Sequence, residues 1–296
     1  MRVNRIVTTA EDKFPELLKT SEIIPDDFQK SFGQDRRSVY YSTKYLVRHR
    51  KKYTLEIAGF ASVLPQTFAA MKYSLPIAGS SYELLALLIT IGAIGMLFTV
   101  FFKDIQERTK ILMLISPLKN EVQAGIRAVV TISLLNVLVA SAVALVVSLL
   151  SFTPGHPFGD VAYPFTVLIQ GEYVTNPLWL IFLKYLLLVN LWFILLASIA
   201  FCLSNLVHNQ LIGMAVAAVV AFAQPLHLLA LLPPAAARLM PGYYTNFVQI
   251  TLHNNEFTDI SLPTITAVFL VWTAAFWLIG SAVMTLRQHK YIPALG

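Results

Sequence analysis

Long runs of apolar residues alternate with shorter polar segments over most of the chain. Five runs are long enough to cross a bilayer as helices, since a span needs about 20 apolar residues at a rise of 1.5 Å each. The runs cover residues 83–102, 128–152, 177–206, 211–232 and 264–286. The pattern therefore predicts an all-α protein, a polytopic integral membrane helix bundle with five clear transmembrane helices.

A sixth, weaker apolar run covers residues 55–71 and follows a polar N-terminal region, residues 1–54, in which we expect short helices. Its uncharged part, 57–71, contains Pro65 and would extend about 22 Å, less than the roughly 30 Å of a bilayer core. Two interpretations stay open. Either this run is an additional span, which we favour, or residues 1–82 form an external domain and a preceding span is missing from this chain.

The basic residues predict which loops face the cytoplasm. Lys and Arg occur five times in residues 103–127 and twice after the last span, but not at all in 153–176 and once in 233–263. Cytoplasmic loops are enriched in these residues. We therefore predict a multi-pass protein of the plasma membrane with a cytoplasmic C-terminus. Segment 103–127 and a tight turn at 207–210 would be cytoplasmic, and the other two segments would be solvated outer loops.

Composition narrows the possible functions further. Charged residues make up 13% of the chain, about half the share of a soluble protein, so the net charge of +6 indicates cytoplasmic loops rather than nucleic-acid binding. The single cysteine, Cys202, allows no disulfide within the chain. The sequence has no Walker A motif, no zinc-binding HExxH and no GxSxG nucleophile motif. We therefore predict no metal or cofactor and favour transport or a scaffold role over catalysis.

Polar residues inside the spans are candidates for a substrate path, because burying them in lipid is costly. Asn136 and Asn190 lie deep in their spans, where an interhelical hydrogen bond is the alternative explanation. Gln224 and His227 flank Pro225, which would kink a helix. A helix that ends early is the alternative explanation for that group.

Small residues recur at four-residue spacing on two of the predicted helices. Such faces allow helix backbones to approach closely, which indicates a packed bundle and is compatible with a homodimer. The two sets are Ala140, Ala144 and Ser148, and Gly213, Ala217 and Ala221.

Segment 103–127 is a charged segment between two apolar runs. The motif "SPLKN" at 116–120 favours a helix start, with Ser116 as the N-cap and Pro117 at the first helical position. The apolar strip 111–115 precedes it. The pattern predicts two short helices that meet at an elbow, with an apolar patch that needs a partner or the membrane surface. The alternative is a positively charged loop that only fixes the topology.

The stretch "ERTKILMLISPLKNEVQAG" resembles the cytoplasmic segment of ABC-2-type transporter permeases, and the order of spans and loops resembles that family loosely over 83–290. This resemblance implies the permease subunit of an ABC-type exporter, in a homodimer or heterodimer, driven by a separate ATPase. The family normally has six spans, whereas here the first is 55–71 or is missing. The implied ATPase-coupling residues are Glu107, Arg108, Thr109, Lys110, Leu112, Leu114, Pro117, Lys119 and Glu121.

Two other functions stay open. One is an intramembrane enzyme with a site near Gln224 and His227, and the other is a scaffold or sensor subunit that binds an ATPase without moving a substrate. The outer loops carry no strong charge bias, so the sequence does not indicate the substrate.

Overall fold

A computed structural model describes residues 74–77, 80–107, 120–152, 164–169, 172–252, 257 and 260–291. These residues are mostly helical, as the apolar runs predict. The weak span 55–71, the N-terminal region and residues 108–119 lie outside the described residues, so the predictions for them stay untested.

Helices and two short hairpins follow one another along the chain. The elements are β1 (Ser74–Ile77), β2 (Ser80–Glu83), α1 (Leu84–Gln106), α2 (Asn120–Ser151), β3 (Pro164–Ile169), β4 (Glu172–Pro177), α3 (Leu178–Leu206), α4 (Gln210–Ala221), a 3₁₀ turn (Leu228–Leu231), α5 (Pro234–Ala237), a second 3₁₀ turn (Pro241–Tyr244), α6 (Phe247–Thr251) and α7 (Leu262–Tyr291).

Four of these helices are long and apolar enough to cross a membrane, namely α1, α2, α3 and α7. They coincide with four of the five predicted spans, so those four are confirmed as helices of sufficient length. The tight turn predicted at 207–210 is also present, because α3 ends at Leu206 and α4 begins at Gln210. The Asn209 side chain caps α4 by accepting a hydrogen bond from the Leu211 N–H at 2.9 Å.

The remaining run, 211–232, was predicted as one continuous span, and that prediction is wrong. Helix α4 ends at Ala221 after 12 residues. Such a helix is about 18 Å long, less than the roughly 30 Å of a bilayer core. The physical reason is Pro225, which lacks the N–H that would bond to the carbonyl of Ala221.

The described residues form two compact units. The larger comprises those within 73–142, 185–250 and 260–296, and the smaller those within 143–184 and 251–259. In the smaller unit β3 and β4 pair antiparallel, with Ile169 opposite Glu172 across a two-residue connection. In the larger unit β1 and β2 pair in the same way, with Ile77 opposite Ser80. Two hairpins therefore add strands to the all-α architecture that the sequence predicts, and one lies in a predicted outer loop.

Helix α3 is the central helix. We compare the 18-residue apolar stretch of each long helix. In α3, 72% of these residues are buried, against 50% in α1, 12% in α2 and 11% in α7. Its side chains from Leu195 to Cys202 are all buried. The bundle therefore surrounds α3, while α2 and α7 leave broad apolar faces exposed, as lipid-facing helices do.

Contacts of α3 show that α1 and α7 run in the same direction as α3. Along α1, Thr90 bonds to Trp192 and Phe101 packs on Phe201. Along α7, Phe269 lies against Trp192 and Gly280 against Phe201. The C-terminal ends of these three helices therefore lie at one end of the bundle, which we call the common end. The predicted topology makes this end cytoplasmic.

The segment 241–250 differs from the solvated loop that the sequence predicts over 233–263. All of its residues are buried except Tyr243, which is half-buried. Tyr244 meets Phe269 edge to face with ring centroids 6.2 Å apart, and Phe247 packs on Trp192 at 6.4 Å. Burying these rings removes a large apolar area from solvent, which outweighs the turn-forming composition of the segment.

Candidate functional site

The predicted ATPase-coupling residues lie on a segment that the structure describes only at its two ends. Glu107 follows the last residue of α1, and its carboxylate lies 3.9 Å from the Lys103 ammonium. Both side chains are more than half exposed, so the pair contributes little stability. Glu121 is exposed in the first turn of α2, where a negative charge favours the helix dipole. The residues outside the described part are Arg108, Thr109, Lys110, Leu112, Leu114, Pro117 and Lys119.

At the common end, hydrogen bonds join the last two turns of α1 to the first turn of α4. The Gln106 side-chain amide donates to Gln210 Oε1, and Gln210 Nε2 donates to Thr99 Oγ1 at 3.3 Å. We call these three residues the glutamine clasp. Reasoning from the sequence did not identify it, although a glutamine at the boundary of each apolar run is a signal that could have suggested it.

Below the clasp, α1 and α4 are in close apolar contact. The rings of Phe98 and Phe102 are fully buried and stacked, with centroids 5.7 Å apart. A Cβ atom on Gly213 would lie 2.9 Å from Phe102 Cζ and 3.1 Å from Phe98 Cε1. Gly213 is buried together with Ala217 and Ala221. The predicted packing role of this small-residue face is therefore confirmed, whereas Ala140, Ala144 and Ser148 are exposed.

Asn136 of α2 and Asn190 of α3 bind each other. Asn136 Nδ2 donates to Asn190 Oδ1 at 2.7 Å, and Asn190 Nδ2 donates back to Asn136 Oδ1 at 3.3 Å. Asn190 Nδ2 also donates to the Leu186 carbonyl at 2.8 Å. The interhelical hydrogen bond is thus confirmed, and it accounts for both amides without a substrate. Their role in a substrate path stays a prediction.

His227 ends the helical turn that follows α4. It has a left-handed backbone with φ 53° and ψ 16°. Its N–H donates to the Gln224 carbonyl at 3.0 Å, and the Leu228 N–H donates to the Ala223 carbonyl at 2.9 Å. These two bonds define a Schellman motif with His227 at the C′ position, where glycine is most common. The structure therefore favours the early helix end over a kinked span with a functional histidine.

The four predicted path residues do not form one cluster. The two asparagines pair between α2 and α3, whereas Gln224 and His227 lie in the turn beyond α4. Gln224 is half-buried and His227 is exposed. Within the ranges that the structure describes, no three His, Cys, Asp or Glu side chains converge as they would around a metal ion.

The buried segment 241–250 is held at the far end of α4. A Cβ on Gly242 would lie 2.5 Å from the Val220 carbonyl oxygen, so the two backbones touch. The Tyr244 hydroxyl donates to the Arg238 carbonyl at 2.7 Å. Burial raises the pKa of Tyr244, and the charge of Arg238 partly opposes that rise. The phenol therefore stays protonated through neutral pH and keeps its hydrogen bond.

Helix α4 therefore links two places. At its start is the clasp, whose Gln106 belongs to the predicted coupling segment, and at its other end is the buried aromatic segment 241–250. Comparison of the chain with protein-family models, curated proteins and solved structures finds no match.

Proposed function

We propose that the protein is the membrane-spanning permease subunit of an ABC-type exporter, and that a separate ATPase energises it by docking on segment 103–127. In this proposal the protein is a multi-pass plasma-membrane subunit with a cytoplasmic C-terminus. It works as a dimer with a second permease unit, either a copy of itself or a related chain.

The proposal is supported mainly by the place in the bundle where segment 103–127 begins. Segment 103–127 begins on the last turn of α1, at the common end, and that turn is hydrogen-bonded to α4 through the glutamine clasp. A force applied to the segment therefore acts on two helices of the bundle. This is what a subunit driven by an external ATPase requires.

The charges at the start of the segment also support docking. Glu107 is exposed and its contact with Lys103 is a surface pair, so either side chain can exchange its partner for a charge on another protein. A charge reversal here should weaken docking while leaving the buried bundle unchanged.

The test combines Glu107→Lys with Pro117→Ala. It first searches the reading frames beside this gene for one with a Walker A motif, and the product of such a frame is the candidate ATPase. We expect the double variant to insert into membranes at the normal level, to lose co-purification with the ATPase and to lose export. Normal co-purification and export would disprove docking at this segment.

Arg238→Glu is the matched control, because Arg238 is an exposed cation directly after α5, in the segment predicted to face outside. This charge reversal should leave co-purification unchanged. If the ATPase binds and its hydrolysis responds to the wild-type chain but no candidate substrate moves, the scaffold or sensor alternative replaces the exporter. The enzyme alternative is less well supported, because the Schellman motif explains the left-handed backbone of His227 without a catalytic role.

A further inference from the structure

Helix α4 makes close contacts at both of its ends. At its start, Gln210 belongs to the glutamine clasp, which ties it to the last two turns of α1. One turn further on, Gly213 packs directly on the Phe98 and Phe102 rings. The interiors of proteins are packed as densely as crystals, so α1 cannot shift here without moving α4.

At its other end, α4 touches the buried segment 241–250. The backbone of Gly242 lies on the last turn of α4, so close that a Cβ would overlap the Val220 carbonyl. From Gly242 the chain continues directly to Tyr244, whose ring packs on Phe269 of α7. A displacement of α4 along its axis therefore pushes or releases the backbone of this segment directly, because no side chain lies between them.

Helix α4 is long enough to transmit a movement of α1 to segment 241–250. Its 12 residues extend about 18 Å, from the Asn209 cap to Phe222, whose N–H donates to the Ala218 carbonyl. Because α4 ends at Ala221, its last turn lies directly against Gly242, at the start of the buried segment 241–250.

We propose that α4 is a strut that couples the end of α1 to the burial of segment 241–250. When the hydrogen bonds of the glutamine clasp break, segment 241–250 packs less tightly. When they are intact, the segment stays buried. The use of this coupling in transport, with segment 241–250 as the part that moves when the ATPase acts, rests on the proposed function. The coupling itself does not require an ATPase.

The test measures amide hydrogen exchange in the full-length protein in lipid nanodiscs, without any partner. Gln106→Glu with Gln210→Glu places two like charges in the clasp. Gln106→Lys with Gln210→Glu replaces the amide contact by an ion pair. We expect the first pair to speed exchange in 241–250 about two- to tenfold, the effect of losing roughly one net hydrogen bond, and the second pair to restore the wild-type rate.

Two controls separate coupling from general destabilisation. Ser133→Ala removes an exposed hydroxyl that donates to the Val129 carbonyl, its one bond within the described part of the chain, and should leave exchange in 241–250 unchanged. Exchange in the buried core of α3, residues 195–202, should be the same in all variants. Unchanged exchange in 241–250 with the like-charge pair, or equal acceleration in α3, would overturn the proposal. Because no ATPase is present, failure here leaves docking on 103–127 intact, and failure of docking leaves this measurement intact.

Discussion

Substitutions at His227 distinguish a helix-ending residue from a catalytic one. A left-handed backbone costs an L-residue roughly 1–2 kcal/mol, and glycine avoids that cost. Glycine in turn costs about 0.5–1 kcal/mol through greater freedom in the unfolded chain. Compared with an unbranched residue that also lacks the imidazole, glycine at 227 should therefore be equally stable or more stable, by up to about 1.5 kcal/mol.

Valine should have the opposite effect, since a β-branched side chain is a severe outlier at positive φ. We expect His227→Val to be less stable than His227→Gly by about 1–2 kcal/mol, which is roughly a tenfold difference in the unfolding equilibrium. His227→Asn should be closer in stability to His227→Gly than to His227→Val, because asparagine also tolerates this conformation. Reversible unfolding by SDS in mixed micelles measures these differences.

The neighbouring Leu226 is the matched control. It is exposed like His227, and among the described residues other than glycine only His227 has a positive φ. Glycine should therefore not be more stable than valine at position 226. Equal stability of the glycine and valine variants at 227 would contradict a left-handed backbone at this position. Loss of a catalytic activity in a stably folded His227→Gly protein would revive the enzyme alternative.

Three further predictions concern other contacts. A double-mutant cycle with Asn136→Ala and Asn190→Ala should give a coupling free energy of about 0.6–1.7 kcal/mol in SDS unfolding, and a value near zero would contradict the interhelical bond. Gly213→Ala should lower the free energy of unfolding by about 1–3 kcal/mol, because its Cβ would lie 2.9 Å from an aromatic ring atom. Gly92→Ala has open space around it and should leave that free energy unchanged or raise it. Tyr244 has a raised pKa in the folded state, so its contribution is full below the usual pKa of about 10 and disappears as pH rises through the folded value. Tyr244→Phe should therefore lower the free energy of unfolding by about 1 kcal/mol at neutral pH and flatten the stability curve above about pH 10. An unchanged curve would show that another group titrates there.

The sequence by itself determined the class of the protein and most of its long helices. Apolar runs of about 20 residues can satisfy their backbone groups in lipid only as helices, so α1, α2, α3 and α7 could be predicted from hydrophobicity alone. The tight turn after α3 was also predictable, since a short polar stretch separates two apolar runs. The small-residue face of Gly213 was predictable for a similar reason, because residues four apart share one side of a helix.

Tertiary structure decided what hydrophobicity leaves undetermined. The run 211–232 is apolar throughout, yet it does not form one helix, because Pro225 breaks the backbone ladder and His227 closes the turn. The segment 241–250 has the composition of a solvated turn, yet it is buried because Trp192 and Phe269 offer an aromatic surface that lies far away in sequence. Residues 104 positions apart form the main bond of the glutamine clasp, and no local pattern specifies such a pair. Local hydrophobicity sets which segments become helices, whereas contacts between distant segments decide where a helix stops and which polar groups meet.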